Sequence, residues 1–111
     1  MAAGNGQPPY KVSIPPHIRA RFGPWADLAK RAGLFAEFVA DLKLLDRNLL
    51  YRPVAWGDPL NDLPKSNLKM FRGMTECLLV IYAVHQVQPH VIVKDIVLRP
   101  DRPLGQAEAG V

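Results

Sequence analysis

Tyr10, Val12 and Ile14 alternate with Lys11 and Ser13, and a period of two is that of a strand with one buried face. Pro15 and Pro16 end it, because proline has no backbone N–H to continue a ladder. Pro16 also suits the first turn of a helix, where a missing N–H costs nothing. Ile18, Phe22, Trp25, Leu28, Ala29 and Ala32 then recur at helical spacing. Gly23-Pro24 is expected to kink or divide this helix, and Gly33 to cap its end. The clearest pattern runs from Leu34 to Leu50. There Leu34, Phe35, Phe38, Val39, Leu42, Leu45 and Leu49 form one stripe, while Glu37, Asp41, Lys43, Asp46 and Arg47 lie mostly off it. This is the pattern of an amphipathic helix, and Pro53 stops it.

Residues 53–67, PVAWGDPLNDLPKSN, read as loop, with Gly57-Asp58-Pro59 as a turn and Leu60 and Leu63 as anchors into the core. Three strands are predicted beyond it. Leu68 to Met74 has mixed faces, Cys77 to Val84 is a continuous apolar run of the kind found in a central strand, and Val91 to Leu98 is rich in β-branched residues. Residues 1–9 and 100–111 offer little to bury and read as a disordered N-terminal tail and a flexible C-terminal tail. The expected architecture is a small single α+β domain over residues 10–99: a strand, two helices, then three antiparallel strands joined by short turns.

With 111 residues, 49% of them hydrophobic, the chain has material for one core and no second domain. Its 11 prolines exceed the usual share, but they fall almost entirely between the predicted elements and act as punctuation. The single cysteine, Cys77, leaves no intramolecular disulfide to form, and its apolar neighbours predict a buried, inert thiol. The N-terminal residues lack the basic and apolar segments of a secretory signal, and Leu78 to Val84 is too short to span a bilayer as a helix. A cytoplasmic protein without a membrane partner is therefore expected. The net charge of +4 is modest, but Lys65, Lys69 and Arg72 lie in a stretch with no acidic companion. They form either a basic strip or a solvated edge that discourages strand pairing.

Few residues carry the pattern of catalytic chemistry. His85 and His90 flank the last turn, with no third residue at metal-ligand spacing. Tyr82 lies in an apolar strand, where an aromatic residue belongs to the core with its hydroxyl hydrogen-bonded. Trp25 and Trp56 read as packing residues, Trp56 the more exposed. No glycine-rich phosphate loop and no nucleophile motif occurs, so no cofactor or metal is expected.

Three stretches, YKVSIPP, the leucine-rich helix leading into YRPVAWGDPLNDL, and LKMFRGMTECLLVIYAV with HVIVKDIVL, resemble the RelE/ParE family of bacterial toxins in their order and spacing over residues 10–99. The resemblance implies that fold, a cognate antitoxin, and one of two targets. RelE-like members cut mRNA on the ribosome, whereas ParE-like members bind DNA gyrase without chemistry of their own. Under the nuclease reading Arg72 and Arg99 match family arginines and would be catalytic, with Lys65 and Lys69 binding RNA beside them. Under the binding reading the same four residues would contact RNA or a protein partner. Strict alternation puts Lys69 and Arg72 on opposite faces unless a bulge intervenes near Gly73. The chain also lacks the family's C-terminal tyrosine or histidine, and Leu79 stands where an arginine is common. These departures favour a toxin-like component of a type II toxin–antitoxin pair that acts by protein or RNA binding, with a RelE-type endoribonuclease and a decayed, non-enzymatic partner-binding domain as alternatives.

Overall fold

The structure is a computed structural model that describes residues 8–110, excepting the side chains of 62–64. The tail reading for 1–9 thus falls largely on residues outside the described ones. Strand β1, Lys11–Ser13, is followed by a short helix α1, Pro16–Arg19, then α2, Phe22–Ala32, and α3, Phe35–Tyr51. The break between α1 and α2 falls at Ala20 and Arg21, ahead of Gly23-Pro24. Pro24 sits in the first turn of α2, whose N–H groups have no intrahelical partner in any case. Gly33 ends α2 in the left-handed conformation at φ 73°, with its N–H on the Lys30 carbonyl and the Leu34 N–H on the Ala29 carbonyl, as its residue type predicts.

The segment read as loop is mostly ordered into elements. It forms a helical turn α4, Pro53–Trp56, a strand β2, Asp58–Leu63, and a 3-10 turn, Pro64–Ser66. β2 escapes a pattern-based reading because its residues do not alternate. Pro59 is tolerated because β2 is an edge strand, and the pairing with its neighbour slips between Pro59 and Asp62. Leu60 is no core anchor, being 46% exposed, and the Leu63 side chain lies outside the described residues.

β3, Leu68–Met74, β4, Leu78–His85, and β5, His90–Leu98, complete one five-stranded sheet in the order β1-β5-β4-β3-β2. It is mixed rather than purely antiparallel, because β1 runs parallel to β5 after the helical crossover. Helices cover one face. Phe71, Leu78, Val80, Tyr82, Val84, Val91, Val93 and Ile96 pack there against Trp25, Leu28, Phe38, Leu45 and Leu49. The buried side of α3 also carries Asp41, which is only 6% exposed, and Asn48, so the buried face is rotated from the expected stripe and leaves Phe35 in solvent.

The C-terminal tail is the largest correction. Residues Pro103–Ala109 form a helix, α5, in which Leu104 is 1% exposed and joins the core. Gly105 lies so close to the Arg99 carbonyl that a Cβ would collide with it. One buried leucine among small and polar neighbours is too sparse a signal to register as a helical period.

Candidate functional site

The four cations singled out from the sequence do not converge. The pairing of β3 with β4 is continuous from Leu68 opposite His85 to Met74 opposite Leu79, with no bulge near Gly73. Lys69 therefore shares the helix-covered face with Phe71, its Nζ 5.8 Å from that ring, and Arg72 points from the opposite face. Lys65 lies exposed in the 3-10 turn. Gly73 keeps its place for a different reason: the Trp56 indole lies where a Cβ would be.

Arg99 is held elsewhere. Its Nη1 donates to the Thr75 carbonyl at 2.9 Å, its Nη2 pairs with Asp101 at 3.2 Å, and its side chain is only 18% exposed. Arg72 stands opposite Ile81, whereas the Arg99 N–H bonds the carbonyl of Cys77, just ahead of β4. Strand spacing separates the two Cα atoms by roughly 16 Å. Arg99 closes the β3–β4 turn and is not a free cation aimed at a phosphate.

Three aromatic rings form the interior beneath this region. Tyr82 stacks between Trp56 and Phe71, with centroid separations of 5.7 and 5.4 Å, and Gly57 makes room for its phenol. The hydroxyl donates to the Pro53 carbonyl, and burial pushes the phenol up to about 12. Beside it in the core, Asp41 accepts from the Thr75 hydroxyl and from the Cys77 N–H, fastening α3 to the β3–β4 turn. Burial, then the Asp41 carboxylate, push the Cys77 thiol up to about 11, which keeps it protonated and inert as expected.

His85 and His90 serve the β4–β5 turn. His85 Nδ1 accepts from the Val87 and Gln88 amides, and His90 Nε2 is hydrogen-bonded to the Ser13 hydroxyl at 2.8 Å. Among the described residues no three metal-ligating side chains gather, and no helix is long and apolar enough to cross a membrane.

What the open sheet face presents is apolar. Leu68, Met70, Leu79, Ile81, Ile92 and Val97 are half-buried, and Met74 is exposed. Arg72 stands among them, exposed and without an ion pair among the described residues, with Asp58 as its cross-strand neighbour on β2. Among the charged pairs that reasoning from sequence missed are Arg102 with Glu76, at 3.1 Å, and Arg21 with Asp95, at 2.6 Å on the side of β5 away from β4. The only trace of the latter in the sequence is the Lys94-Asp95 dipeptide interrupting an apolar strand. Comparison with protein-family models, with curated proteins and with solved structures gave no match.

Proposed function

We propose that this domain is a toxin-like component of the RelE/ParE type that acts by binding a protein partner on its open sheet face, with Arg72 at the centre of contact. The separation of the cations carries this reading. Cleavage of RNA without a metal needs a base, an acid and cations brought to one phosphate. Here Arg99 is spent on the Thr75 carbonyl, and Lys69 lies on the covered face in a cleft with His85, whose Nδ1 is taken by turn amides, away from Arg72 on the open face. An arginine among half-exposed apolar side chains suits protein recognition, where arginine is enriched at binding hot spots. The family reading rests on the sequence resemblance; within it β1, the helices α2 and α3 and the strands β3 to β5 follow the expected order, with β2 and α5 additional to it, and DNA gyrase is then a better-fitting target than the ribosome. A cognate antitoxin would be its neutralising partner.

The test is growth. Expression without an antitoxin is expected to arrest cells, and Arg72→Glu is expected to relieve the arrest. At an exposed position that change leaves stability within about 0.5 kcal/mol, which thermal unfolding verifies. Arrest that persists undiminished in Arg72→Glu contradicts the assigned face. A wild type that never arrests growth leaves the decayed, partner-binding reading in its place.

A further inference from the structure

Two histidines hold the corner where β1 joins the sheet, and they hold it by different chemistry. His90 opens β5, and its Nε2 lies 2.8 Å from the Ser13 hydroxyl of β1. A hydroxyl both donates and accepts, so this bond survives whether the His90 ring is neutral or charged. His85 ends β4, and its Nδ1 accepts two backbone donors of the turn, the Val87 N–H at 3.1 Å and the Gln88 N–H at 3.0 Å. Both partners are donors only, and an imidazolium has no lone pair to offer them. The bonds of His85 therefore exist only with the neutral ring, its proton on Nε2.

The turn has little else to fix its course. Residues 86–89 are exposed, Val87 at 76%. The Gln86 N–H is taken by the Asn67 carbonyl at 2.8 Å, and Pro89 has no N–H to give. The Val87 and Gln88 donors are left for the His85 ring. Beyond them the Pro89 carbonyl accepts the Lys11 N–H at 2.8 Å, and Lys11 is the first residue of β1, which spans only 3 residues. The path of the turn thus sets the seat of β1.

The groups around His85 decide what acid does to it. It shares a cleft with Lys69 of β3, with Tyr10 ahead of β1, and with the apolar Val54 of α4. His90 of β5 follows across the turn, and Asp62 stands in register with Lys69 one strand further out on β2. A proton on His85 sets a like charge beside Lys69 and removes both acceptor bonds. Each effect drives the ring from its place.

We propose that His85 is an acid-released latch: its neutral ring closes the β4–β5 turn and seats β1, and protonation opens the turn and loosens the start of β1. The closed turn accepts only the unprotonated ring, so closure is complete at higher pH and is lost as pH falls. Histidine is the residue type whose charge changes between about pH 5 and 8, which makes the latch responsive to mild acidification. It does not rest on the function proposed for the open sheet face.

Amide NMR on the isotope-labelled full chain, taken from about pH 8 to about pH 5, reads the latch. At the upper end the ring nitrogen shifts of His85 are expected to place its proton on Nε2. As pH falls, the Val87 and Gln88 amide shifts should titrate together with the His85 ring resonances. Solvent exchange of these two amides and of Lys11, each relative to an unstructured peptide at the same pH, should rise roughly tenfold, as expected for the loss of ordinary hydrogen bonds. His85→Asn, which offers an acceptor that does not titrate, should hold all three amides steady, and His90→Gln should leave the transition in place; the same spectra verify both folds. Amides that do not move with pH, that follow the His90 ring instead, or that still titrate in His85→Asn would each overturn the proposal, as would unchanged Lys11 exchange while the turn opens.

Discussion

The Trp25 indole N–H donates to the Glu108 carboxylate at 2.8 Å, and this contact fastens the C-terminal helix α5 to α2. With Leu104 buried beneath it, α5 is part of the domain rather than a tail. Leu104→Ala is expected to destabilise by about 2–5 kcal/mol, the range for truncating a buried leucine. Deleting residues 104–111 should lower the unfolding midpoint at least as far. Denaturant unfolding checks both, and an unchanged midpoint after the deletion would mean that α5 contributes nothing.

Asp41 should matter as a hydrogen-bond acceptor more than as a charge. Asp41→Ala leaves the Cys77 N–H and the Thr75 hydroxyl without their buried acceptor, at a cost of about 1–3 kcal/mol for each group. Asp41→Asn keeps one acceptor oxygen and should recover part of the loss. Equilibrium unfolding of the two variants distinguishes this from a purely electrostatic role, in which Asn would fare no better than Ala.

The alkaline limit of stability follows from two buried groups. Tyr82 is raised from an ordinary value of 10 to about 12 and Cys77 from 9 to about 11, so the fold favours the neutral form of each. Their contribution is complete below pH 9 and is lost as pH climbs through 11 and 12. Stability measured against pH should be insensitive to these groups at neutrality and fall above pH 9. In Tyr82→Phe the part of the fall that extends to pH 12 should disappear, although the variant starts lower for want of the bond to Pro53.

Leucines of α3 should divide by their place on its face. Leu49 is 1% exposed and Leu42 only half-buried, although the sequence put both on one apolar stripe. Leu49→Ala is expected to cost about 2–5 kcal/mol and Leu42→Ala distinctly less. Equal losses in chemical denaturation would place the buried face of α3 where the sequence pattern put it.

Elements defined by local pattern were legible before any coordinates. β3 has the limits its sequence indicates, α3 is shifted by a single residue, the αL cap at Gly33 follows from its residue type, and Tyr82 is a core residue with a bonded hydroxyl. Elements defined by tertiary context were not legible. β2 exists because β3 offers it an edge, α5 because α2 offers Leu104 a bed, and Asp41 is buried because the β3–β4 turn presents donors to it. The cations show the same division. Alternation correctly separated Lys69 from Arg72, but nothing local to RPDRP reveals that Arg99 turns back to the Thr75 carbonyl. The Arg21–Asp95 pair joins residues 74 positions apart and needs the folded chain to be seen.

The central claim, binding without RNA cleavage, is tested most directly by mapping message ends. Wild type, Arg72→Ala and Arg99→Ala are each added to a translating extract, and the 5′ ends of a reporter message are located. The separation of Arg72 from Arg99, and the placing of His85 beside Lys69 rather than beside either arginine, predict an uncut message with all three. Cuts at ribosome-occupied codons that appear with wild type and vanish in both variants would contradict the account and make Arg72 and Arg99 catalytic after all.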